Sequence, residues 1–191
     1  MPRLRAFADA LALASLSLWL GVIVMSGLVA AVAFPTMKHL NPDLPDYTAF
    51  PHDHWKIAAG LIAREIFNLG ALLQWGFATI TATALAFGVF ADRPARQLPV
   101  ARTVGLFLAV AALAYWRLSV APRMDTSFDA FLAAAKAGDA ASAGTHRAAF
   151  DAMHPWVSYL LYFLWFCVLA TLIEMVRGMI PRARPAVGMS P

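Results

Sequence analysis

The chain has a single cysteine, few charges, and long stretches with no charge at all. Each scarcity excludes something. Cys167 alone rules out an intrachain disulfide, and a CxxC or CxxCH box with it. HExxH, GxSxG and glycine-rich phosphate loops are missing, so the usual signs of a zinc hydrolase, a serine hydrolase or a nucleotide-binding enzyme are missing too. Charged residues make up 14% of the chain, against about 25% in an average soluble domain. The basic ones are scattered at the ends of apolar runs, which argues against a nucleic-acid surface. No repeat of about 20–50 residues is visible.

What is present is apolar. Of 191 residues, 61% are hydrophobic, and they come in blocks rather than at helical spacing. Residues 10–37, 66–91 and 155–173 carry no charge, and a fourth apolar run, 99–121, is interrupted by Arg102 and Arg117. About 20 apolar residues match the roughly 30 Å hydrocarbon core of a bilayer. Helices apolar all round would need a large surrounding core in water, and lipid supplies one. The expectation is an all-α, four-helix transmembrane bundle in a single domain, with spans at about 10–34, 66–90, 100–120 and 156–173. Pro2-Arg3-Leu4-Arg5 before the first run, with Ala31-Val32-Ala33 as a cleavage site, resembles a signal peptide. A signal's apolar region is only about 7–15 residues, so this one is read as a span.

Polar segments lie between the runs. Pro35 is expected to end the first span. Residues 35–53 read as an irregular loop, and Asp53 as the cap of a helix from His54 to Phe90. Asp92 to Pro99 reads as a short basic turn. In the outer segment 121–155, Asp125 or Thr126 is expected to cap a short helix ending near Gly138. Phe128, Phe131, Leu132 and Ala135 share one face of it, an amphipathic pattern suited to the membrane surface or the bundle. A second helix is expected from Thr145 to His154, with Pro155 opening or kinking the last span.

Orientation follows from the short segments richest in Lys and Arg. The N-terminus, the 2–3 turn and the C-terminal end, with Arg177, Arg182 and Arg184, are the densest. Both termini are therefore expected in the cytoplasm. Segments 35–65 and 121–155 then face outward, with Trp55, Trp116 and Trp156 as an aromatic belt.

All five histidines, His39, His52, His54, His146 and His154, fall in those outer segments with most of the acids. Imidazole suits transition metals and haem iron. His52 and His54 are two close imidazoles, and His54 and His154 stand at similar depth at the starts of two spans. They are the candidate ligands for a metal (His52, His54, His154) or a haem (His54, His154). The bland alternative is that wet loops simply contain histidine and nothing is bound. Arg64, Glu65 and Asn68 lie at the outer end of the second helix and read as structural polar groups, Arg64 and Glu65 pairing with segment 121–154. Arg117 reads as a snorkelling side chain.

Several stretches carry a resemblance. Leu18-Trp19-Leu20-Gly21 with Ser26-Gly27 and Phe34-Pro35, then Gly60 and Phe67, Ala121-Pro122-Arg123-Met124, and Phe150, His154 and Ser158 resemble a family of uncharacterised bacterial four-span proteins. That family is related to the eukaryotic transmembrane protein associated with cisplatin resistance. Asn68 stands where that family often has proline, and Leu161 where it has a polar amide. The resemblance implies a four-helix membrane fold with no established activity, and it singles out His154.

Three functions fit these residues. The first is a non-catalytic membrane protein, an accessory or scaffold component or one that handles small toxic solutes or metals through its outer polar cap. Its partners are the bilayer and other membrane subunits. The second is a metal- or haem-binding subunit of a redox complex. The third is a small-molecule transporter, for which only Gln74 and the span-2 threonines lie near the midplane.

Overall fold

A computed structural model of the chain describes residues 2–48, 50, 52–91 and 100–180. The turn 92–99 and the tail from 181, with Arg182 and Arg184, lie outside the described residues. Every regular element among the described residues is a helix, and none is a strand. The order is α1 (Pro2–Leu40), a 3-10 turn (Pro45–Tyr47), α2 (His54–Ala91), α3 (Val100–Tyr115), a π turn (Trp116–Val120), α4 (Ala121–Lys136) and α5 (Ala140–Met179). Among the described residues four helical rods are long and apolar enough to cross a membrane, α3, the π turn and α4 forming one of them. Large apolar side chains on these rods point outward: Leu72 is 68% exposed, Phe107 70% and Phe166 61%. A soluble domain of this size does not leave such faces bare. The protein is a multi-pass integral membrane protein.

The rods outlast the bilayer. α1 has 39 residues, α2 38 and α5 40. At 1.5 Å per residue each is about 55–60 Å long, nearly twice the hydrocarbon thickness. The surplus gathers at one end, where it forms a helical head with its own core. Tyr47, Ile57, Phe128, Phe131, Ala135 and Ala143 are buried there. A separate membrane core holds Leu16, Trp19, Ile23, Leu113, Leu164, Val168 and Met175. Within the bundle α1 packs mainly on α2, and α5 on α3 and α4. α2 and α3 meet only briefly.

Helix ends differ from expectation at the prolines. α1 passes through Pro35 to Leu40 and stops at Asn41, whose φ of 44° is left-handed and which precedes Pro42. A following proline disfavours the right-handed helix, and asparagine tolerates the left-handed conformation, so α1 ends at the Asn41-Pro42 pair. Pro35 and Pro155 are both exposed, so the carbonyls they free can meet water or headgroups. Pro155 lies inside α5, which begins at Ala140 rather than Thr145 because Asp139 Oδ1 accepts from Ser142 N at 3.0 Å. α4 follows α3 without a break. Ahead of Pro122 the helix widens into the π turn, with Ala121 N donating to Trp116 O. A wider turn relieves the clash between a proline ring and the carbonyl four residues back. Thr126 caps nothing; its hydroxyl donates to Pro122 O at 2.8 Å. Gly138 ends α4 with a φ of 76°, as its position predicts.

The membrane core is tied by a few polar contacts. Trp19 Nε1 donates to Gln74 Oε1 at 3.2 Å, both residues buried. Ser15 Oγ donates to Phe77 O at 2.8 Å and receives Thr81 Oγ1 at 3.1 Å. At the opposite end from the head, Arg102 Nε and Nη2 donate to the Glu174 and Met175 carbonyls. Gly178 leaves room for that guanidinium, since a Cβ there would overlap it.

Candidate functional site

Between the head core and the membrane core lies a cavity of about 420 Å³. That volume is in the range of small-molecule sites. Phe34 of α1, Trp55, Gly60, Ala63 and Phe67 of α2, and Trp116 of the π turn line it. Met124, Phe128 and Phe131 of α4 and Phe150, Val157 and Leu161 of α5 complete the apolar wall. Gly60 lets the Phe128 ring pack closely on α2, since a Cβ there would stand 3.1 Å from the ring. Phe128 and Phe150 stack with centroids 5.1 Å apart.

Polar groups ring this wall: Asp53, Lys56, Arg64, Asn68, Asp125, Arg147, Asp151, His154 and Ser158. Most are already paired. Asp53 accepts from Arg147 Nη1 and from Lys56 Nζ at 2.7 Å. Burial pushes the Asp53 carboxyl up, but the bonds from Lys56 and Arg147 outweigh it and hold it below the ordinary value. Asp53 thus locks α2 to α5. Arg147 Nε also lies 3.7 Å from Asp151. Arg64 Nη1 donates to Asp129 Oδ1 at 2.6 Å, joining α2 to α4, and its guanidinium sits 5.4 Å over the Phe128 ring. The Arg64 partner in segment 121–154 is thus Asp129. Glu65 is 3.8 Å from Arg64 and exposed.

Asp125 differs from the rest. No hydrogen bond or ion pair engages its carboxylate among the described residues, although it lines the cavity and is partly buried. Burial pushes it above the ordinary carboxylate value. The nearby Arg64 and Arg117 guanidinia pull it down, while Asp129 and Glu65 push it further up.

The histidines separate. His154 lies on the cavity wall, edge-on to Phe150 with ring centroids 4.7 Å apart, and its Nδ1 is 3.5 Å from Phe150 O. His54 is 8% exposed and is not on that wall. Its Nδ1 accepts from Leu44 N at 3.0 Å, so Nε2 carries the proton and donates to Tyr47 O at 3.0 Å. Asp43 Oδ1 also stands 3.3 Å from Nδ1, but that carboxylate is solvent-exposed, and the backbone N–H sets the tautomer. His54 pins the 41–53 loop to α2, and an iron or other metal at either nitrogen would have to displace one of these bonds. His52 is exposed and not on the wall. Among the described residues no group of three His, Cys, Asp or Glu stands close enough to hold a metal ion. Asn68 lines the cavity, and Arg117 is exposed on the π turn just outside it.

Reasoning from sequence reads Asp53 and Asp125 as helix caps, and Phe128 and Phe131 as an amphipathic face suited to the membrane surface or the bundle rather than as a cavity wall. The signal that finds them is the pairing of an aromatic face at 128 and 131 with acids three residues before and one residue between, a helix half core and half charge. Comparison with protein-family models, with curated proteins and with solved structures brings no match for this chain.

Proposed function

We propose that this protein is a non-catalytic component of a bacterial inner membrane that holds a small amphipathic solute at the junction of head and bilayer. The carrying observation is the cavity itself: an aromatic wall ringed by charged side chains, between the head core and the membrane core. Ser158 Oγ donates to the His154 backbone carbonyl rather than to an imidazole nitrogen, and the reading is capture or handover rather than chemistry. The head is the outward face in this reading and both termini are cytoplasmic, supported by the Lys and Arg flanking the spans. Relation to the four-span family whose motifs it resembles belongs to the same reading, since Gly60, Phe67, Phe150, His154 and Ser158 all line the cavity. The midplane offers less to a transporter, because Gln74, Ser15 and Thr81 bond to one another's helices.

The test is binding of a neutral solvatochromic dye, Nile red, to protein in lipid nanodiscs. Wild type is expected to add a saturable, blue-shifted component that Ser158→Trp, which places an indole in the cavity from an exposed position, abolishes. Identical titrations for the two proteins overturn the reading. Orientation is checked separately with impermeant maleimide. His52→Cys and Ala141→Cys are expected to label in intact spheroplasts, and labelling of either only after lysis reverses the topology.

A further inference from the structure

We propose that the cavity selects amphipathic cations, with an ammonium or similar head seated against Asp125 and its apolar body along the phenylalanine wall. This rests on the solute-holding reading above and names the class of solute. The argument is one of charge accounting. Every cation on the cavity wall already has an anion: Lys56 and Arg147 share Asp53, and Arg64 holds Asp129. Asp151 is spoken for by Arg147. Asp125 alone keeps a carboxylate with no hydrogen bond or ion pair among the described residues. Three cationic and three anionic side chains line the wall, and Asp125 is the one among them without a pairing partner among the described residues; the unpaired Arg117 stands outside the wall, close enough for its charge to act on Asp125. An anionic solute would have to break an Arg–Asp pair to be received, whereas a cationic one breaks nothing.

The surroundings suit the same class. An unpaired carboxylate beside an apolar wall is costly to keep desolvated, and a bound cation removes that cost. Aromatic faces attract cations through their quadrupoles. One wall ring shows this already, with the Arg64 guanidinium over Phe128. His154, also on the wall, has an imidazole able to join a hydrogen bond there. An ammonium head occurs both in free amphiphiles and in zwitterionic lipids, and the two are separated below.

The probes are decyltrimethylammonium and its neutral isostere with a tert-butyl head, each displacing Nile red from nanodiscs. Comparing each probe between variants cancels its partition into lipid. Wild type and Asp125→Glu are expected to bind the cation about tenfold more tightly than Asp125→Asn does, the scale of one partly screened charge pair. The isostere should bind all three equally, which also shows that Asp125→Asn is folded. If the cation's advantage survives in Asp125→Asn, or the isostere loses as much as the cation, the cationic selectivity is wrong while solute binding stands. If no saturable Nile red binding exists, both fall. Repeating the titration in phosphatidylglycerol and in phosphatidylcholine separates the two sources of the head. A tenfold ratio in both lipids identifies a free solute. A ratio that collapses only in phosphatidylcholine identifies a lipid ammonium already seated on Asp125.

Discussion

Two glycines on these helices should respond to the same substitution with opposite signs. Gly105 of α3 faces Thr171 of α5, and a Cβ at Gly105 would overlap Thr171 Oγ1 and stand 3.5 Å from Cys167 O. Thr171 is 1% exposed, and its hydroxyl donates to Cys167 O at 2.7 Å. It is β-branched and cannot swing aside as a lysine tip would. Gly21 of α1 has nothing within 4 Å of an added Cβ. Replacing a mid-helix glycine with alanine gains about 1 kcal/mol of helix propensity. Gly21→Ala should keep that gain. Gly105→Ala should set it against about 1–3 kcal/mol of overpacking and come out destabilised by about 1 kcal/mol. The two variants then differ by about 2 kcal/mol, mostly from one methyl group meeting one hydroxyl. Unfolding by SDS in mixed micelles, followed by tryptophan fluorescence, measures both. Thr171→Ala removes the offending oxygen, so Gly105→Ala/Thr171→Ala should recover most of the loss, with a coupling of about 1–2 kcal/mol. If Gly105→Ala is as benign as Gly21→Ala, or if the double variant recovers nothing, α3 and α5 do not approach as described.

Three further perturbations probe the head and the membrane core. His54→Ala strips the partners of Leu44 N and Tyr47 O and should cost the loop about 2–3 kcal/mol, seen as faster amide exchange over 42–50 and unchanged exchange over 70–85; a global change instead would assign His54 another role. Asp53 has a folded pKa below its unfolded one, so its contribution to stability is full above the ordinary aspartate value and is lost as pH falls through the lowered one. Acid titration of unfolding should therefore lose that component in Asp53→Asn, and an unchanged profile would deny the α2–α5 lock. Gln74→Leu leaves Trp19 Nε1 without an acceptor and should cost about 1–2 kcal/mol, whereas Trp19→Phe/Gln74→Leu should lie close to Trp19→Phe alone, as read by the same SDS assay.

Much of the architecture is legible from residue order, for reasons that are local. Charge-free runs demand lipid, Gly138 must take a left-handed φ, and the 3–4 spacing of Phe128, Phe131 and Leu132 marks a buried face. Proline is where local reading stops. Pro35, Pro122 and Pro155 are strong breakers in a peptide, yet each is carried inside or at the first turn of a helix here. What decides is whether the freed carbonyl can find another partner, and that depends on exposure, which only the fold provides. Asp53 and Asp125 show the same limit in the site. Both look like caps because they precede helical runs. Their roles come from Arg147, which lies 94 residues from Asp53 in sequence, and from a wall of rings assembled from four helices. No spacing rule relates such positions.

The unbroken rods have a mechanical meaning. Each helix runs on from the lipid into the head and so acts as a lever whose fulcrum is the interface. A tilt of about 10° in the bilayer would swing tips about 25 Å away by roughly 4 Å, given the surplus length of these rods. The Asp53–Arg147 and Arg64–Asp129 pairs clasp three of those levers together at the level of the cavity. A thicker or thinner membrane would therefore be felt first as strain on those two clasps, and through them in the width of the chamber they enclose.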